Sequence, residues 1–186
     1  MGFHTYDPDR ADRLEDAASR YRYCSAEELL GALADAGEVV DVGSGTGFYT
    51  DSVAAHADRV HAVDVQAAMH DRYREKGVPD NVDLVTAEAA DLPLPDGAAD
   101  AVVSTMTYHE FHGEAALAEL RRVLRPGGRL VAVDWSADGP GESGPPVDER
   151  YGPADVRAHL TEAGFDPDRI DERPETWLAV ATVPDA

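Results

Sequence analysis

The chain has 186 residues, 37 of them acidic and 16 basic, for a formal net charge of −21 at pH 7. That length suits one domain, and no apolar stretch approaches the ~20 residues that a membrane-spanning helix needs. Lys76 is the one lysine among the basic residues, so no dense basic patch marks a nucleic-acid surface, and no nucleic-acid partner is expected.

The N-terminal segment, residues 1–37, reads as two helices. Asp7 caps the first, with Pro8 at its first helical position. Ser25 opens the second, and Glu28 three residues later completes a capping-box pattern. Leu29, Leu30 and Leu33 form its apolar stripe, and Gly37 is the expected stop. From residue 38 onward short apolar runs alternate with helical patterns. Strands are predicted at 39–42, 60–63, 82–85, 101–104, 130–133 and 177–183, and helices at 47–57, before 76, at 115–124 with Pro126 as its stop, and at 153–163. Such alternation predicts an α/β fold, a Rossmann-like doubly wound, mostly parallel sheet with a helical N-terminal cap. One domain spans 1–186, with the cap at 1–37 and the core at 38–186. The stretch from 136 to 146, SADGPGESGPP, is rich in Gly and Pro and reads as a mobile loop, a connector or a lid.

The first core strand runs into Gly43-Ser44-Gly45-Thr46-Gly47. Glycines permit positive φ and leave no Cβ in the way of a ligand, and the next helix begins with free backbone N–H groups. Asp64 ends the second strand 21 residues after Gly43, the place of a carboxylate that accepts hydrogen bonds from ribose hydroxyls. Together they point to an adenosine-type ligand. A dinucleotide turn reads G-x-G-x-x-G/A, but here its last small position holds Phe48. Asp41, two residues before Gly43, suits a cationic amine better than a pyrophosphate, which it would repel. Both residues count against a nicotinamide dehydrogenase, the alternative enzyme reading.

VVDVGSGTG resembles the first motif of the class I S-adenosylmethionine-dependent methyltransferases. HAVDVQAAM, TAEAADLPLPDGAADAVVS and ELRRVLRPGGRLVAVDW resemble three later motifs of that family, in the right order. The resemblance covers residues 38–135, with a weaker match at HLTEAGF, and is closest to the small-molecule branch that includes the ubiquinone and menaquinone biosynthesis methyltransferases. It implies S-adenosylmethionine as cofactor and a small-molecule methyl acceptor. By position it implies that Gly43, Ser44 and Gly45 pass the methionyl part, with Asp41 nearby. Asp64 would bind the ribose diol, while Val65 and Met69 pack on adenine. Glu88 would meet the adenine amino group and Ala89 N–H a ring nitrogen. Ser104 and Thr105 would lie by the methionine end. Glu88 departs from the family's usual Asp, and Ala87 from the Gly before it. A cofactor-binding protein without transfer activity is the other alternative.

The strand end that faces the methyl group in this family is followed by Thr105-Met-Thr-Tyr108-His109-Glu110-Phe111-His112. His109 is the candidate base or acceptor-orienting group, since an ordinary imidazole titrates near neutrality. Tyr108 is a candidate either to line the pocket beside it or to fill the core. His109 and His112 are three apart and do not form the H-E-x-x-H zinc pattern, so no metal is expected. Tyr21 and Tyr23 are candidates either to close over the cofactor or to anchor the N-terminal segment to the core. His4, His56, His61, His70 and His159 suggest no constellation.

A charge of this size should destabilise a compact chain in dilute buffer. At about 1 M salt the Debye length falls to roughly 3 Å and most of that repulsion is screened. The composition therefore reads as halophilic. One cysteine, Cys24, and a charged N-terminus without an apolar signal region fit a cytoplasmic monomer or homodimer.

Overall fold

In the computed structural model, residues 6–185 are described, and the expectation for His4 lies outside them. A 3-10 turn at Pro8–Glu15 is followed by helices α1 (Ala17–Tyr23) and α2 (Ala26–Leu33). The core then runs β1 (Glu38–Val42), α3 (Phe48–Ala54), β2 (Arg59–Asp64), α4 (Ala67–Lys76), β3 (Val82–Thr86) and β4 (Ala99–Thr105). It continues with α5 (Tyr108–Phe111), α6 (Glu114–Val123), β5 (Leu124–Trp135), α7 (Pro153–Glu162), β6 (Asp166–Glu172) and β7 (Thr176–Thr182). Among the described residues no helix is long and apolar enough to cross a membrane.

The strands form one sheet in the order β3-β2-β1-β4-β5-β7-β6. The pairs from β3 through β5 are parallel. β7 runs antiparallel to both β5 and β6. The chain order reverses between β1 and β4, so the carboxyl ends of those strands open a crevice, the usual ligand position in such sheets. Both faces are covered. On one, Leu29, Leu33, Val53 and Tyr73 pack against Val39, Val60 and Val103. On the other, Leu117, Leu120, Val156 and Leu160 pack against Val40, Val102 and Leu130. This double burial explains why the central strands are continuous apolar runs rather than alternating ones.

Several predicted features change in detail. The Ser25 cap is present, its side chain accepting from Glu28 N–H at 3.2 Å, but the Glu28 carboxylate pairs with Arg173 on the far side of the chain. α2 ends at Leu33, with Ala34 at φ 55°, before Gly37 is reached. α6 ends at Val123 because Leu124 is already extended. The following Pro-Gly-Gly lies inside β5 as an irregularity in its pairing with β4, where Leu124 aligns with Ala99 but Arg129 with Ala101. A Cβ on Gly128 would come within 2.7 Å of the Arg125 carbonyl oxygen, so that bend needs glycine. β6 was not predicted. Its sequence, DPDRIDE, is mostly exposed, and it pairs through its backbone at the sheet edge, where charge discourages further strand addition. The Gly/Pro-rich stretch before α7 is pinned. Arg150, 5 % exposed, donates to the carbonyl oxygens of Pro145, Ser143 and Ser136.

Candidate functional site

β1 ends in a turn whose N–H groups are held by its neighbour strand. Gly43 and Ser44 donate to the Val63 carbonyl at 2.9 and 3.0 Å. Gly45 N–H donates to Asp64 Oδ2 at 2.9 Å, and Gln66 N–H to Asp64 Oδ1 at 2.8 Å. Asp64 thus ties the glycine turn to the start of α4, and each oxygen keeps acceptor capacity for a further donor. Burial pushes its carboxyl above the usual range, against those two backbone donors. The glycines have separate reasons. At Gly43 (φ 75°) a Cβ would overlap the Thr107 side chain at 2.4 Å, and at Gly47 (φ 82°) the Tyr73 ring at 2.1 Å. At Gly45 (φ 55°) it would only touch Leu14 at 3.5 Å. Gly43 and Gly47 therefore serve internal packing, and Gly45 is the position where the missing Cβ leaves room.

A cavity of about 430 Å³ opens at this turn, within the ~300–1,000 Å³ range of small-ligand sites. Of the residues expected at the cofactor, Gly43, Ser44, Gly45, Asp64, Val65, Met69, Glu88, Ala89 and Thr105 line it. Val65 is 49 % exposed at this opening, and Met69 is buried. Asp41 and Ser104 do not line it; both are buried behind the strand ends. Asp41 Oδ2 accepts from the Thr50 hydroxyl at 2.5 Å, and its Oδ1 has no partner among the described residues. Burial first, and then the Asp64 charge, push Asp41 up to about 6.

Tyr108 and His109 do not line the cavity either. Tyr108 is 1 % exposed and packs edge-on against Trp177 and Phe111, so it belongs to the core. His109 is turned toward β5, where its Nδ1 lies 2.9 Å from Asp134 Oδ2. The next two residues, Glu110 and Phe111, reach the cavity instead. Met106, at φ 60° between β4 and α5, takes the sharp bend that aims them there.

The N-terminal segment supplies the rest of the wall through Tyr6, Leu14 and Arg20. Tyr21 and Tyr23 face elsewhere, Tyr21 against Phe48 at 5.2 Å and Tyr23 against Trp135 at 4.6 Å. The Phe48 ring packs on Tyr21 of this segment at 5.2 Å and on Tyr49 at 5.0 Å. Arg20 lies over the Tyr49 ring at 4.8 Å and the Phe48 ring at 5.6 Å. Its buried Nε has no partner among the described residues, nor does Ser44 Oγ. Arg20 is the one cation among the described lining residues, against Asp64, Glu88 and Glu110. No sequence motif marks Arg20 or Glu110; only the aromatic neighbours at 48 and 49 hint at a cation over them.

The donors present fit S-adenosylmethionine. A buried guanidinium with a free N–H suits its carboxylate, an acceptor pair on Asp64 suits a ribose diol, and the apolar Val65 and Met69 suit an adenine face. Residues 40–132 match the methyltransferase domain family. An uncharacterised methyltransferase-like protein of Schizosaccharomyces pombe is 38 % identical over 53 % of this chain and 38 % of its own length. The ubiquinone/menaquinone biosynthesis C-methyltransferase of Ectopseudomonas mendocina is 37 % identical over 54 % of this chain and 43 % of its own. The chain thus spans about two fifths of the length of these curated relatives. The crystal structure of an Aquifex aeolicus SAM-dependent methyltransferase superposes with a TM-score of 0.86 at 30 % identity, covering 96 % of this chain and all of that one. With its switch-point crevice and this match over half its length, the chain belongs to the S-adenosylmethionine-dependent methyltransferase family.

Proposed function

We propose that this protein transfers the methyl group of S-adenosylmethionine to a small-molecule acceptor by in-line displacement. The observation that carries the reading is the cavity at the β1–β4 switch point, where a glycine turn, Asp64 and an Arg20 Nε without a partner among the described residues converge. The bound cofactor would supply an electrophilic methyl group on a sulfonium, which leaves as a thioether. The protein's part is to hold and orient. Gly43, Ser44 and Gly45 pass the methionyl portion, and Arg20 faces its carboxylate. Asp64 accepts from the ribose hydroxyls, Val65 and Met69 flank the adenine, and Glu88 with the Ala89 N–H reads its edge. Thr105 lines the methionine end, and Asp41 and Ser104 lie buried behind it. Orientation of this kind reaches effective molarities of about 10⁵–10⁸ M.

Calorimetry with S-adenosylhomocysteine tests the reading. Binding is expected in concentrated potassium chloride, and Asp64→Ala should weaken it by roughly 10-fold or more, the loss of hydrogen bonds to a charged acceptor. A folded protein that does not bind, or a variant that binds equally well, refutes it.

We also read the charge as a halophilic trait and the working compartment as a salty cytoplasm. Lys76 bridges Glu15 of the N-terminal segment, at 3.3 Å, to Asp51 of α3, at 2.8 Å. Because salt screens the repulsion within a net charge of −21, thermal melts should rise steeply between low and high potassium chloride, and equal melting in both defeats this reading.

A further inference from the structure

Among the described residues the β4 end of the cavity carries one ionisable side chain, Glu110 of α5; the lining residues around it, Thr105, Met106, Thr107, Phe111 and Ala116, bear no charge. Behind Glu110 stands a chain of two more groups. His109 Nε2 lies 3.9 Å from Glu110 Oε1, within ion-pair range. His109 Nδ1 lies 2.9 Å from Asp134 Oδ2. Asp134 is 1 % exposed. It also accepts the backbone N–H groups of His109 at 2.6 Å and Trp135 at 2.7 Å. These three contacts on one buried carboxylate hold the imidazole, with Nδ1 donating to Asp134 and Nε2 left facing Glu110.

We propose that Glu110 is the catalytic base of the transfer, taking a proton from an acceptor that arrives as an uncharged O–H or a cationic N–H, with His109 and Asp134 as positioning residues behind it. This rests on the methyltransferase reading of the cavity. Glu110 takes the proton, before the attack for a cationic N–H, whose N–H electrons become the attacking lone pair, and with the attack for an O–H. The freed or existing lone pair forms the bond to the methyl carbon, the electrons of the broken C–S bond stay on sulfur, and the proton passes from Glu110 to water.

Access selects Glu110 over His109. Burial disfavours the His109 cation, but the hydrogen bond and charge of Asp134 outweigh it, with help from Glu110 and Glu149. The imidazole is thus raised from its usual value, but it is access that decides: His109 does not line the cavity and its Nδ1 is taken up by Asp134, whereas Glu110 lines it. Glu110 is pushed up to about 7, by burial first; the His109 charge opposes this, while Asp134 and Asp64 add to it. A base poised near the working pH combines availability with driving force. The lining acids Asp64, Glu88 and Glu110 outnumber the one lining cation described, Arg20. An acceptor that carries its own carboxylate or phosphate would be repelled there.

The test uses the full chain in high salt with S-adenosylhomocysteine bound. Infrared difference spectra are expected to show a carboxylic-acid band that titrates around pH 7 and vanishes in Glu110→Gln. In His109→Gln its midpoint should move upward, because a neighbouring cation has been lost. Turnover is followed as S-adenosylhomocysteine release with catechol and benzylamine, each against its ring-carboxylated counterpart. The uncharged phenol or the amine should be preferred. Its rate should rise through the infrared midpoint, and Glu110→Gln should lower kcat roughly 100-fold at unchanged S-adenosylhomocysteine affinity, with Glu110→Asp keeping part of the rate. A full rate in Glu110→Gln, an infrared midpoint indifferent to His109, or preference for the carboxylated probes overturns the proposal. So does the absence of turnover with every probe by protein that binds S-adenosylhomocysteine. Failure to bind S-adenosylhomocysteine at all breaks the methyltransferase reading instead.

Discussion

At the β1–β2 end of the cavity the geometry is carried by backbone. Three consecutive alternate glycines lie at positive φ, and N–H groups of the turn are held by the Val63 carbonyl and the Asp64 carboxylate. At the β4 end it is carried by side chains, with Glu110 backed by His109 and Asp134 on a four-residue helix. The two ends should therefore fail differently. At Gly43 and Gly47 a backbone-built site has no room for an added Cβ, because the Thr107 side chain and the Tyr73 ring already fill the space. A side-chain-built site can lose a functional group and keep its shape, so its variants should fold and show altered chemistry or binding.

The harshest way to break this contrast is Gly47→Ala. Its Cβ would stand 2.1 Å from the Tyr73 ring, and Tyr73 is fully buried with its hydroxyl on Asp51 at 2.6 Å. Strain at positive φ and overpacking each cost about 1–3 kcal/mol, so the melting temperature in high salt should fall on the order of 10 °C. Gly31→Ala, in α2 where nothing lies within 4 Å, should leave it unchanged or slightly raised. If Gly47→Ala melts like Gly31→Ala, the backbone end is more forgiving than argued.

Arg20→Leu is the intermediate case. Removing a charge-assisted hydrogen bond is worth about 1.5–3 kcal/mol, so S-adenosylhomocysteine should bind roughly 10- to 100-fold more weakly by calorimetry. Adenosine, which lacks the methionyl carboxylate, should bind Arg20→Leu and wild type alike. An equal loss for both ligands would place Arg20 in folding of the N-terminal segment rather than in carboxylate recognition.

The smallest expected effect is in stability against pH. Asp41, at about 6, and Glu110, at about 7, are both raised by burial. A carboxyl raised in the folded state favours folding while protonated, so its contribution is full below the ordinary value of about 4 and is lost as pH rises through 6 and 7. The ligand-free melting temperature should drift down by a few degrees from pH 4.5 to 7.5. Glu110→Gln should flatten the upper part of that drift while leaving the part due to Asp41. An unchanged slope in Glu110→Gln would show that Glu110 titrates normally.

Much of the cofactor end was legible in the sequence because its determinants are local. Apolar runs mark β1 and β2, glycines mark the turn, and an acid at the expected spacing ends β2. Nine of the eleven residues assigned there by position line the cavity. Asp41 and Ser104 are exceptions of depth, since alternation along a strand tells which residues share a face but not how far a cavity reaches. β6 escaped notice because an exposed edge strand is held by backbone pairing and needs no apolar pattern. Glu28 matched a capping box but found Arg173, 145 positions away, a stronger charged partner that no local rule contains.

By itself the sequence determined the methyl donor. Glycine turn, strand-ending acid and following motifs are short-range patterns, and backbone chemistry near a bound nucleoside depends on short-range geometry. Only the tertiary structure decided that Glu110 and Arg20 face the cavity as well. His109 and Glu110 are adjacent on one short helix, and either suits proton transfer as a residue type. The packing of α5 against β5 gives the buried Asp134 to the imidazole and turns the carboxylate toward the cavity. Arg20 reaches the same cavity from a separate segment because the Phe48 and Tyr49 rings support it. Those placements depend on contacts between segments far apart in the chain, which spacing along the sequence does not record.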